Sequence, residues 1–238
     1  MTDAKLLPII WTLASMVVAV LVTLIFSPAR ADRFRSTLIG RLAEQLARLI
    51  YFIGLPYAAL LTQSISAINL GFMGTGGSID ASILGWTSAD WLRGLNVGLT
   101  LGLIALIPIG LAARQMARAG LPLGVDARST AAIIIDSVYA EVHWTFYRTA
   151  PLILLGNAYW AALIGLILIG LEWIVSIVRN GLGSQPEDRQ SWIGQMLLLT
   201  LSAALFILTR NVWLIIILHV VIEIALKAWT RRLASSVI

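Results

Sequence analysis

The sequence predicts an all-α protein: a polytopic transmembrane helical bundle of about seven spans, with one amphipathic helix at the membrane surface. Composition is the first observation: of 238 residues, 59% are hydrophobic and 12% charged, with a mean hydropathy of +0.89. A soluble domain carries about a quarter charged residues. The second is the recurrence of apolar runs close to the roughly 20 residues that a helix needs to cross a hydrocarbon core of about 30 Å. The third is that the basic residues alternate from side to side along those runs.

In chain order, the first run is Leu6 to Phe26. It lacks a basic leader and a small-residue cleavage site, so it reads as a retained first helix rather than a signal peptide. Residues 30–48 form the amphipathic segment, with Phe34, Leu38, Leu42, Leu46 and Leu49 recurring at helical spacing above five arginines. That pattern predicts a helix lying on anionic lipid or docking a protein. The remaining spans are 46–64, 95–113, 130–149, 157–178, 191–208 and 212–229, with Pro56 and Pro108 inside the second and third. Between those two lies a glycine-rich loop bearing Trp86 and Trp91, aromatic residues suited to an interface. Its GTGG stretch at 74–77 follows no strand and reads as linker rather than as a phosphate cradle. Glu187 and Asp188 fall in the polar SQPEDRQ stretch and read as solvated.

Orientation follows from the cations. Thirteen of the 17 Lys and Arg residues fall on one side: Arg30, Arg33, Arg35, Arg41, Arg48, Arg114, Arg118, Arg128, Arg179, Arg189, Lys227, Arg231 and Arg232. Only Lys5, Arg93, Arg148 and Arg210 fall on the other. The positive-inside rule then orients the chain with its N-terminus outside and its C-terminus cytoplasmic, and the plasma membrane is the expected location. The same distribution accounts for the net charge of +5 without nucleic acid. With no cysteine, disulfides, thiolate metal sites and cysteine catalysis are excluded.

Ionisable side chains inside spans cost at least a few kcal/mol each at a helix centre and mark buried sites. Six stand there: Asp136, Glu141, His143, Glu172, His219 and Glu223, including both histidines of the chain. His219 and Glu223 are four apart and share a helix face, whereas Glu141 and His143 are two apart and point to nearly opposite sides. The fourth span therefore has two polar faces. One pairs Glu141 with Arg148 or Arg210, and the other brings His143 to Glu172 and His219. Imidazole and carboxylate groups bind divalent metals or move protons, and they also join helices as buried hydrogen-bond networks. Asp136 reads as a packing residue, and Trp144 and Trp173 as packing or interfacial groups.

The stretches HWTFYR (143–148), LIGLE (168–172) and HVVIE (219–223) stand in an order that resembles the CPBP family of membrane CAAX proteases and bacteriocin-processing enzymes, over roughly residues 130–230. The family carries Glu-Glu-x-x-x-Arg, then Phe-x-x-x-His, then His-x-x-x-Asn or Asp. Arg148 and His219 take the matching places; Glu223 stands for the Asn or Asp. His143 and Trp144 replace the glutamate pair, and Leu168 and Glu172 replace Phe and His. The exchange is reciprocal, since acid and imidazole trade helices, and Glu141 keeps a carboxylate on the first.

The resemblance implies a divergent intramembrane metalloprotease that hydrolyses a peptide bond in a prenylated or membrane-associated peptide. Glu141 or Glu172 would be the general base, and Arg148 would orient or neutralise a carboxylate. His143, His219 and Glu223 would bind a divalent metal, zinc foremost, or polarise the scissile carbonyl. Partners would be the lipid bilayer and a peptide or membrane-protein substrate. The altered motifs leave two alternatives: a non-catalytic scaffold or assembly partner, and a small proton-coupled transporter. The whole chain, 1–238, is expected to form a single membrane domain.

Overall fold

In the computed structural model, residues 3–25, 34, 36–74, 82–118, 127–180 and 186–235 are described. Arg30, Arg33 and Arg35 of the basic stretch, and most of the GTGG stretch, lie outside them. The fold is helical, and the chain divides into two compact units: residues 1–70 with 142–182, and residues 71–141 with 183–238.

The first unit begins with α1, Asp3–Ile25, an apolar helix with Ser15 buried on it. Helix α2, Leu38–Leu49, starts at Thr37, whose hydroxyl accepts from the Gly40 amide at 3.0 Å. A side-chain oxygen at this position satisfies one of the amide groups that a first turn leaves unpaired. A π-helical turn follows at Ile50–Gly54, and then the short α3, Leu55–Leu61. Pro56 has no N–H to donate backwards into the preceding turn, which loosens the ladder where the wider turn forms. The run expected as one span at 46–64 is therefore the end of an amphipathic helix, a π turn and a short helix in sequence. Residues 142–155 complete this unit together with α6, Ala158–Asn180, which packs against α1.

The second unit opens on a small hairpin, β1 (Ser82–Ile83) paired antiparallel with β2 (Trp86–Thr87). Its two turn residues, Leu84 and Gly85, both have positive φ, at 52° and 80°, as a type I′ turn requires. Helix α4, Ser88–Arg118, follows at once. The Thr87 hydroxyl accepts from the Asp90 amide at 3.2 Å while the Thr87 amide donates to the Asp90 carboxylate at 3.4 Å, the reciprocal pair of a capping box.

Gly94, Gly98, Gly102 and Gly110 recur on one side of α4 and meet Leu214, Leu218, Ile222 and Trp229 of α8, Val212–Ser235. Small residues let two helices approach closely where lipid offers no hydrophobic drive to associate. Helix α7, Pro186–Thr209, also packs on α4. It begins inside the stretch expected as a solvated loop, because proline at a first helical position is pre-set for the helix.

Helix α5, Thr130–Leu155, contributes residues 130–141 to this unit and 142–155 to the other. Among the described residues, α1, α4, α6 and α8 are long and apolar enough to cross a membrane, and residues 193–209 of α7 form a shorter apolar stretch. The protein is thus all-α in character, with several helices suited to a bilayer.

Candidate functional site

Every residue from 141 to 152 of α5 is buried. Within that stretch the helix turns Glu141 towards groups of the second unit and His143 towards groups of the first, as a separation of two residues dictates.

In the first unit, His143 Nε2 lies 3.1 Å from Glu172 Oε2 on α6. The other carboxylate oxygen of Glu172 accepts from the Tyr51 hydroxyl at 3.1 Å. Tyr51 sits in the π turn after α2, and its hydroxyl also stands 3.3 Å from that of Tyr147 and 3.4 Å from His143 Nε2. Tyr147 in turn donates to Ser15 of α1 at 3.3 Å. The imidazole is enclosed by the rings of Tyr51, Phe52 and Tyr147, with centroids 4.8, 5.2 and 4.4 Å away. Its Nδ1 is buried without a hydrogen-bond partner among the described residues. Trp144 and Trp173 meet edge to face, 6.3 Å between centroids, which matches their reading as packing groups.

Arg148 is fully buried on α5. Gly165 of α6 faces it: a Cβ there would come 2.6 Å from Arg148 Cγ, so glycine makes room for the arginine stem.

In the second unit, His219 Nδ1 donates to Glu141 Oε1 at 2.7 Å, and Ser202 of α7 donates to Glu141 Oε2 at 2.5 Å. Both oxygens of a carboxylate with no exposed surface are thereby engaged. The expected partners of Glu141, Arg148 or Arg210, are replaced by His219 and Ser202, which approach it from α8 and α7. His219 Nε2 faces Glu223 Oε1 across 3.8 Å, one helical turn along. The other oxygen of Glu223 accepts from Arg128 at 3.2 Å, and Arg128 also pairs with Asp136 at 3.1 Å. Lys227 donates to the Arg128 carbonyl. A continuous run of polar groups therefore leads from buried Ser202 and Glu141 through His219 and Glu223 to the exposed Arg128. Asp136, expected as a packing residue, is part of that ion cluster.

Residues outside the expected site also take part, among them Ser15, Tyr51, Arg128, Tyr147 and Ser202. Tyr147 was accessible to reasoning, being four residues from His143 and hence on its face. The others come from distant segments, and being neutral or at a helix end they carry no intramembrane charge to flag them.

Comparison with known protein families, with characterised proteins and with solved structures returned no match.

A catalytic zinc takes three protein ligands and leaves a fourth position open. Among the described residues, no group of three or more His, Cys, Asp and Glu side chains is arranged to hold a metal. The His219–Glu223 pair supplies two donors, one short of that set. What the geometry does supply is the usual support of a working imidazole: a carboxylate on one ring nitrogen, which fixes the tautomer and aims the other.

Proposed function

We propose that the protein is a divergent CPBP-like intramembrane hydrolase acting on a peptide bond of a membrane-associated peptide. The observation that carries this reading is the Glu141–His219 hydrogen bond of 2.7 Å, with Nε2 of the same ring facing Glu223. At 3.8 Å, Nε2 and Glu223 Oε1 are too far apart to bond directly. The proposed step places a bridging water within reach of both. In the proposed step Glu223 holds that water and His219 Nε2 takes its proton as the oxygen attacks the carbonyl carbon. The proton then passes to the departing amine, giving a carboxylate and an amine as products. Glu141 positions the ring and stabilises the imidazolium that forms. No metal is used in this step.

Further support lies in where the groups stand: His143 and Arg148 on α5, Glu172 on α6, and His219 and Glu223 on α8 are the positions that the resemblance picks out. In the same reading the chain is a multi-pass protein of the plasma membrane with its N-terminus outside. Because the protein has no cysteine, single introduced cysteines report that topology directly by their labelling from either side.

The test of the hydrolase is cleavage of quenched membrane-spanning and prenylated peptides by reconstituted protein. His219→Ala and Glu223→Gln abolish turnover while thermal unfolding stays cooperative. Turnover that survives in His219→Ala overturns the reading. Metal content measured on the same preparations distinguishes the metal-free step from a zinc enzyme.

One observation favours a second reading, a non-catalytic scaffold. Both oxygens of Glu141 are taken by partners on two other helices, which is how a buried network joins helices. A scaffold keeps its function through His219→Gln, where a hydrolase loses it.

A further inference from the structure

The apolar side of helix α2 is left uncovered by the described residues of its own unit. Of its 12 residues only Gly40 is buried. Leu38, Ile39, Leu42 and Leu46 are exposed by 56–77%, an unusual state for four large aliphatic residues on one side of one helix. Arg41, Glu44 and Arg48 follow one another at spacings of three and four on another side. The backbone stays helical from α2 through the π turn into α3, and the arginines stand only on its first twelve residues, Leu38–Leu49. An apolar stripe beside arginines on that stretch matches a helical segment lying in the headgroup layer.

The helix is also tied to the polar cluster of its unit. The chain passes from Leu49 into the π turn Ile50–Gly54, and the second residue of that turn is Tyr51. Tyr51 binds Glu172 and stands beside His143 and Tyr147. A π turn carries an extra residue per turn and so changes the rotational phase of everything after it. The phase at which α2 lies down therefore sets where the Tyr51 hydroxyl points.

We propose that α2 is an anionic-lipid-docking arm: its Leu38–Leu46 face enters the headgroup layer, Arg41 and Arg48 meet lipid phosphates, and this docking holds Tyr51 on Glu172. The partner is the bilayer surface of the protein's own membrane. The charge pattern selects anionic lipid over a neutral surface, since each basic side chain near such a surface strengthens docking about fivefold.

The test uses full-length protein in nanodiscs of phosphatidylcholine with or without phosphatidylglycerol. The cysteine-free chain permits single variants Leu46→Cys and Glu44→Cys carrying an environment-sensitive fluorophore. With phosphatidylglycerol, the Leu46→Cys label is shielded from aqueous iodide and the Glu44→Cys label stays open. Arg41→Glu combined with Arg48→Glu removes the lipid difference. Amide exchange across Ile50–Leu60 slows in the same discs; Tyr51→Phe abolishes that slowing and leaves the Leu46→Cys shielding intact. Equal iodide access in both lipids overturns the proposal. So does shielding that appears only with two protein copies per disc, which assigns the face to a second copy. Exchange that slows equally in Tyr51→Phe overturns the link to the cluster.

Discussion

Glu141 and His219, 78 residues apart in the chain, are joined by a hydrogen bond of 2.7 Å with both side chains buried. The pair sits in an apolar helical setting, so its two partners are far more costly separately than together. Breaking a buried pair by removing one member leaves the other uncompensated, typically at about 3–5 kcal/mol. Glu141→Ala, which strands both His219 and Ser202, is expected to destabilise by that order. Glu141→Gln keeps an acceptor for the ring and is expected to cost well under half as much. Thermal unfolding of the two variants in one detergent gives the comparison, and equal losses would refute the account.

The Arg128 pairs make a deliberate contrast. The arginine side chain is 39% exposed, and its ion pairs with Asp136 and Glu223 lie at 3.1 and 3.2 Å. Exposed pairs contribute about 0–1 kcal/mol because solvent screens them and long side chains lose entropy. Arg128→Gln should therefore lower stability by less than about 1 kcal/mol. If Glu223 holds the reacting water, the same variant slows turnover, since Glu223 loses the group that fixes its far oxygen. Stability and turnover measured side by side separate these two effects.

The glycines of α4 predict opposite outcomes at two sites on one helix. At Gly110 an added Cβ would run into the indole of Trp229, a rigid ring that has to swing away as a whole. Gly110→Ala is expected to cost about 1–3 kcal/mol through forced repacking. At Gly102 the nearest atom is Ile222 Cδ1 at 3.5 Å, an ordinary contact. Gly102→Ala should be neutral or gain up to about 1 kcal/mol from helix propensity. Unfolding midpoints that shift alike for both would rule out close α4–α8 packing as the reason for the glycines.

His143 offers a fourth comparison. The ring fills a space between Tyr51, Phe52 and Tyr147 and bonds Glu172 through Nε2. His143→Ala both empties that space and strands the carboxylate, for an expected loss of about 3–5 kcal/mol. Glu172→Gln retains an oxygen for Tyr51 and should cost about 1 kcal/mol. A smaller loss for His143→Ala than for Glu172→Gln, read from denaturation curves, would contradict the enclosed geometry.

Much of this was written in the chain. Apolar runs placed α1 and α6 within about three residues at each end, because helix period and length are local properties, whereas α4, α5 and α8 continue several residues past the expected spans. The six ionisable residues within apolar runs could be singled out for the same reason: charge in an apolar run is visible without a fold. Spacing on one helix also correctly separated Glu141 from His143 and aligned His219 with Glu223.

Partner choice was not local. Glu141 could have met an arginine, and the tertiary structure gave it His219 and Ser202 from two later helices. Tyr51 carries no charge and lies 92 residues from His143, so nothing in the sequence marks it; only the packing of its unit brings its hydroxyl to Glu172. The run expected as a span at 46–64 is helical from Leu46 to Leu61 but carries a π turn at Ile50–Gly54, next to Pro56, which withholds a backbone donor. The sequence by itself determined which segments are helical, which are apolar and which ionisable side chains stand within apolar runs. The tertiary structure decided which of those side chains meet, since a hydrogen bond across helices depends on the rotation and depth of both, and neither is set by the residues of one helix alone.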